Sequence, residues 1–189
     1  MTAKVPSPRR VRVLLADDHV LVRRTLRQLL ESAGGVDVLA EVSDGPTAVA
    51  EAQRLCPDAV ILDIALPCLD GVQTAAAIRS LCPKTKVLLL SFDEDPAYVR
   101  RAMLAGAAGF VGKSGVDRSL IPALRRVLAG QTFFSLPGTF HTRNLPPSAP
   151  SPSPSAPLGL RDSLRSTHAL FTAWLRSFWH RLRSTRQLG

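Results

Sequence analysis

Two short segments, Ala59-Val-Ile-Leu-Asp63 and Val87-Leu-Leu-Leu90, are apolar from end to end, and each is followed or closed by one polar residue. Unbroken apolar runs of this length fit strands covered on both faces rather than half-buried ones. Strands of that kind belong to sheets flanked by helices on both sides. The chain from Val11 to about Gly130 keeps to this plan. Val11-Arg-Val-Leu-Leu-Ala16 reads as a first strand. Leu21, Leu26, Leu29 and Leu30 then recur at helical spacing until Gly34-Gly35 stops them. Residues 36–42 read as a second strand, and 45–55 as a helix halted by Pro57. Helices over about 71–81, 95–105 and 116–129 alternate with the two apolar strands and a short strand, Gly109–Gly112.

Five β-α units imply an α/β fold, a parallel sheet with right-handed crossovers. At about 120 residues, the flavodoxin-like (βα)5 order 2-1-3-4-5 is the natural choice. Ligands of such sheets bind beyond the carboxyl ends of the strands, at the switch point between the first and the third.

That edge collects an unusual set of residues. Asp17-Asp18 follow the first strand, Asp63 ends the third, Ser91 ends the fourth and Lys113 follows the fifth. Three carboxylates placed together repel one another unless a cation is present. A hard divalent ion such as Mg²⁺, which keeps several waters, suits a shallow site of two or three carboxylates. A lysine in the same pocket suggests an anionic guest, its ammonium acting as a point charge on phosphate. The Ser91 hydroxyl can donate to a phosphoryl oxygen. Acids, metal and lysine together suit phosphoryl transfer, and with no better nucleophile in the group a carboxylate must accept.

These landmarks resemble a known family. Asp17-Asp18-His19, Asp63-x-x-x-Pro67-x-x-Asp70-Gly71, Ser91 and Gly106-Ala-Ala-Gly109-Phe110-x-x-Lys113 are similar to the receiver domains of two-component response regulators, over residues 11–133. The Asp-Asp-His opening and the Gly106–Lys113 block resemble the LuxR/NarL-type (FixJ-like) subfamily. The resemblance implies that Asp63 is the phosphoacceptor, served by a sensor histidine kinase. It implies Mg²⁺ bound by Asp18, Asp63 and the backbone carbonyl of Ala65, with Asp17 acting through water. It gives Lys113 the phosphoryl group as partner and makes Ser91 and Phe110 a switch pair that changes the partner preference of one face. Such a protein accepts and loses a phosphoryl group but is not a dedicated enzyme, and it admits a homodimer through the receiver.

Leu66 stands where many receivers carry methionine, Ser114 where many carry proline, and Phe92 where a small residue is usual; the last narrows the mouth of the site. Plainer readings exist for each landmark alone. Asp17 or Asp18 could be a helix N-cap, and Asp70-Gly71 is most simply a turn that starts the next helix. A strand-end lysine is usually solvated, and a strand phenylalanine is usually core. Their joint arrival on one edge is what the plainer readings leave unexplained. Two neighbouring chemistries are excluded. A P-loop ending at Gly112-Lys113-Ser114 requires glycine at position 107, which is alanine. A phosphatase of the haloacid-dehalogenase kind needs an acid two residues after the nucleophile, and position 65 is alanine.

The net charge is +9, but it divides unevenly. Residues 1–138 carry 17 Lys+Arg against 14 Asp+Glu, whereas 139–189 carry seven arginines and one acid, Asp162. Residues 1–10 read as an N-terminal arm without the apolar stretch of a signal peptide. Residues 134–158 read as a Pro/Ser-rich, disordered linker and 159–189 as a basic amphipathic helix. No run reaches the ~20 apolar residues of a membrane span. Cys56, Cys68 and Cys82 match no metal spacing or disulfide framework, so they read as reduced thiols of a cytoplasmic protein; Cys68 lies near the site.

The DNA-binding helices usual in the subfamily are not recognisable after the linker. The tail leaves three readings: a helix on anionic membrane or in a partner's groove, sequence-independent nucleic-acid contact through its arginines with Trp174 and Trp179, or no evolved role. Output is accordingly either protein contact by the receiver, including service as a phosphate sink, or transcriptional control through a replaced C-terminal segment.

Overall fold

A computed structural model describes residues 9–135. The linker from residue 136 on, the basic tail with Trp174 and Trp179, and residues 1–8 of the arm lie outside the described residues.

The elements are β1 (Val11–Ala16), α1 (Val20–Ser32), β2 (Val36–Val42), α2 (Gly45–Leu55), β3 (Ala59–Asp63), α3 (Gly71–Leu81), β4 (Lys86–Ser91), α4 (Pro96–Leu104), β5 (Gly109–Gly112), a single 3₁₀ turn (Lys113–Gly115), α5 (Val116–Leu128) and β6 (Phe133–Phe134). The strands form one sheet in the order β2-β1-β3-β4-β5-β6, and every neighbouring pair is parallel. The flavodoxin-like order is therefore present. The sheet has six strands rather than the five expected. Phe133 N donates to the Ala108 carbonyl and Ser135 N to that of Phe110, at 3.1 and 3.0 Å, so the chain leaving α5 satisfies the open edge of β5.

The apolar strands are buried on both faces, as their composition predicts. Val13, Leu15, Ile61, Leu88, Leu90 and Val111 share one core with Leu26 and Leu30 of α1 and Leu120, Leu124 and Val127 of α5. The alternate residues Leu14, Val60, Leu62, Leu89 and Phe110 are as fully buried, on the opposite face that the pleat's period of two dictates. Each fully buried leucine or isoleucine contributes roughly 1.5–3 kcal/mol. One position departs from the helical pattern: Leu21 is 77% exposed, one turn ahead of the stripe that Leu26 and Leu30 bury.

Three helices start on an acid. Asp44, Asp70 and Asp95 accept from the backbone N–H of Thr47, Gln73 and Ala97 at 2.7, 2.8 and 2.7 Å, each satisfying an amide that the first turn cannot pair. Asp70 is thus a cap, the plainer of its readings. Because all strands run parallel, the loops that follow β1, β3, β4 and β5 emerge at one edge.

Candidate functional site

β1 and β3 pair through Ala16 and Leu62, so Asp17 and Asp63 leave the sheet side by side at the switch point. β4 pairs Ser91 with Gly112, which brings Lys113 out of β5 on the same level. Lys113 Nζ lies 2.7 Å from Asp17 Oδ2 and 3.0 Å from Asp63 Oδ2, and these three side chains are 3%, 1% and 4% exposed. A buried ammonium bridging two buried carboxylates is costly unless every charge is answered, which marks this edge as built for something other than stability.

Asp18 is more open. Its Oδ1 lies 2.7 Å from Nδ1 of His19, whose ring is mostly exposed. Asp17, Asp18, His19 and Asp63 each place one ligand atom within 4.8 Å of the others. Three carboxylates and one imidazole suit a divalent cation with oxygen ligands. Asp17 is also fixed locally: its Oδ1 accepts from His19 N at 2.8 Å, and its backbone carbonyl accepts from the Arg23 guanidinium of α1.

Asp63 is displaced electrostatically. Burial pushes its carboxyl above the usual carboxylate range. The hydrogen bond and charge of Lys113 oppose this, the charge of Asp17 adds to it, and the backbone N–H of Ala65 opposes it. The loop that presents Asp63 is held tightly by α3. Gly71 N donates to the Ile64 carbonyl at 2.8 Å, and a Cβ at Gly71 would overlap the Asp63 carbonyl oxygen. The Asp-Gly pair of the motif is therefore a turn, a cap and a close approach at once.

Ser91 is buried at the end of β4, its Oγ accepting from Asp93 N at 3.0 Å. Phe110 is wholly buried, so its ring already points inward. Ala65 is exposed beside Asp63. Every residue expected at the site lies on this edge or, for Phe110, in the strand leading to it.

Three partners were not foreseen. His19 engages Asp18 although it was read only as part of a motif. The Phe92 ring lies 4.9 Å from Lys113 Nζ, and Glu94 accepts a hydrogen bond from Ser114 Oγ. Phe92 had one signal in the sequence, its size at a position that is usually small. Glu94 and Ser114 lie 20 residues apart, and nothing local shows which carboxylate the His19 ring engages, although Asp18 is its neighbour. Cys68 is exposed in the loop between β3 and α3 with φ +66, left-handed for a residue with a side chain.

Comparison with known proteins gives a consistent picture. The family model of the response regulator receiver domain matches residues 13–125. The chain is 37% identical over 147 residues to the "Probable transcriptional regulatory protein NarL" of Mycobacterium tuberculosis, covering 75% of this chain and 68% of that protein. It is 31% identical over 125 residues to the response regulator GacA of Pseudomonas viridiflava, covering 66% of this chain and 58% of GacA. Among solved structures, the signal receiver domain of NarL from M. tuberculosis is similar at TM-score 0.63 and 38% identity, over 66% of this chain and 100% of that one. The isolated receiver domain of RcsB from Salmonella enterica, in the presence of the phosphomimetic BeF₃⁻, is similar at TM-score 0.62 and 26% identity, over 67% of this chain and 94% of that one.

Proposed function

Because this chain belongs to the response regulator receiver family, we propose that Asp63 accepts the phosphoryl group through which a two-component system signals. One observation carries the residue assignment. Lys113 bridges Asp17 and Asp63 in a buried pocket at the switch point of the sheet, where it has no structural duty. Asp63 Oδ attacks phosphorus, and the bond to the donor, a phosphohistidine of a sensor kinase or a small acyl phosphate, breaks with its electrons leaving on the donor. Lys113, already hydrogen-bonded to the acceptor, holds the phosphoryl oxygens. Ser91 Oγ, which accepts from Asp93 N, donates its own proton to one of them. Phe110 stays inward behind it, and the face formed by α4, β5 and α5 changes its preference for partners.

Asp18, Asp63 and the Ala65 carbonyl would hold Mg²⁺ directly, with Asp17 acting through water. When bound, the ion neutralises charge developing on the phosphoryl oxygens. The donor set fits it: hard oxygens in excess of the positive charge present. The receiver is assigned to residues 11–135, two residues longer than the sequence implies, because β6 carries the sheet to Phe134 and Ser135 N bonds back to Phe110. A location in the cytoplasm agrees with the family and with the described residues, which contain no helix long and apolar enough to cross a membrane.

The test is incubation with acetyl phosphate and Mg²⁺, then intact-mass measurement. One phosphoryl group should be gained and should be absent in Asp63→Asn. No gain, or a gain that survives that substitution, removes the assignment.

A second reading of the output is favoured by the names of the relatives. NarL is described as a transcriptional regulatory protein, and the aligned stretch leaves 32–42% of NarL and GacA uncovered. Control of transcription through the segment after the receiver therefore stands beside protein contact by the receiver alone, as a homodimer or with another protein. Salt-dependent retention on DNA and on anionic liposomes, for the full chain and for a chain ending at Gly138, separates them. Equal retention of both chains leaves contact by the receiver.

A further inference from the structure

Phe92 is an aromatic side chain left 69% exposed, so core packing does not explain it. Its ring lies against the one ammonium of the site, 4.9 Å from Lys113 Nζ, while Lys113 itself is nearly buried. A ring face at that distance attracts a cation and excludes water from one side of it.

The loop that carries Phe92 is pinned on either side of Lys113. Glu94 accepts from Ser114 Oγ, and its side chain lies so close over Gly112 that a Cβ there would overlap its carboxylate. Asp93 N is held by Ser91 Oγ and Asp95 N by Asp93 Oδ1, both at 3.0 Å. Gly112 and Ser114 flank Lys113 in the chain, so residues 92–95 form a strap across the end of β5, with the ring over the ammonium.

Resting on the acceptor role of Asp63, we propose that Phe92 is a positioning residue of this site: its ring caps the Lys113 ammonium and shields phosphorylated Asp63 from water. In the reaction it slows, water oxygen bonds to phosphorus and the bond from phosphorus to Asp63 Oδ breaks. The electron pair stays on the carboxylate, and inorganic phosphate and a proton leave to solvent. The ring is held by the cation rather than by the core, so the shield depends on its π face and not on bulk alone.

The test uses the full chain, phosphorylated with acetyl phosphate and Mg²⁺ and then freed of donor by rapid desalting into Mg²⁺ buffer. Loss of the phosphoryl mass is followed with time. Phe92→Ala and Phe92→Leu should lose it about two- to fivefold faster than the wild type, the factor expected of a cation–π contact at an exposed ring. Phe92→Tyr should decay at the wild-type rate. Thermal midpoints should agree among all four proteins, because the ring is largely solvent-exposed. Wild-type decay in Phe92→Ala or in Phe92→Leu overturns the proposal, as does fast decay in Phe92→Tyr. A wild type that gains no phosphoryl mass would instead remove the acceptor role of Asp63.

Discussion

Replacing Asp63 with asparagine should make the protein more stable at neutral pH without Mg²⁺, while abolishing its chemistry. Asp17, Asp18 and Asp63 lie within 4.8 Å of one another, and Lys113 supplies the one ammonium in contact with two of them. At an effective dielectric of about 20, a carboxylate pair at that distance repels by about 3.5 kcal/mol, against about 5.5 kcal/mol of attraction for an ion pair at 3.0 Å. Asp18 is partly solvated, so its share is smaller. Repulsion and attraction therefore nearly cancel for Asp63, and the cost of burying its charge decides the sign. That cost is the leading reason its carboxyl lies above the ordinary value of 3.8. Asparagine keeps the shape and removes the charge, and a gain of about 1–2 kcal/mol is expected, or several degrees in Tm.

The pH dependence has a definite sign. Between the ordinary value of 3.8 and the raised folded value, the unfolded chain releases the Asp63 proton before the folded one does. Wild-type stability from this group is thus full below that window and falls as pH rises through it. The advantage of the variant should open across the same window and shrink as pH falls toward 4. Mg²⁺ should stabilise the wild type by about 2.7 kcal/mol at one hundred times its Kd, and Asp63→Asn by much less. Urea unfolding in EDTA and in Mg²⁺, across pH, reads all of this. A variant less stable than the wild type in EDTA at pH 7, or one that Mg²⁺ stabilises equally, would refute the reasoning.

Gly71→Ala should cost about 2 kcal/mol or more, because the new Cβ meets the backbone of Asp63 and Ile64 rather than a movable side chain. An unchanged urea midpoint would mean that the loop presenting Asp63 shifts freely. Cys68→Gly should gain about 0.5–1 kcal/mol by relieving the left-handed φ of +66 at an exposed position. A lower thermal midpoint would show that the Cys68 side chain makes a contact worth more than that strain.

Most of the sheet was legible because burial on both faces leaves a mark in composition. A run such as Ala59–Leu62 has few other uses, and the pattern also sets the faces on which Leu26 and Leu30 of α1 pack. The clustering of Asp17, Asp63 and Lys113 was legible for a related reason: a carboxylate closing an apolar strand has an address, the end of the sheet, even when its partner is distant in sequence. β6 left no such mark, since two residues are too few for a period and its pairing is set by where α5 releases the chain. Leu21 shows that helical spacing says which residues share a stripe but not where a stripe meets solvent. Contacts such as Phe92 with Lys113 depend on how two loops settle against each other, which no local pattern encodes.

The hydrogen bond from Ser135 N to the Phe110 carbonyl, 3.0 Å long, has a mechanical consequence. The residue whose ring fills the core behind the site also holds, through its own backbone, the last described residue after β6. Phe110 thus anchors the departing chain through its backbone while its ring fills the core. Any displacement of the Phe110 backbone along β5 would therefore be felt at Ser135 through a hydrogen bond rather than across a loose loop.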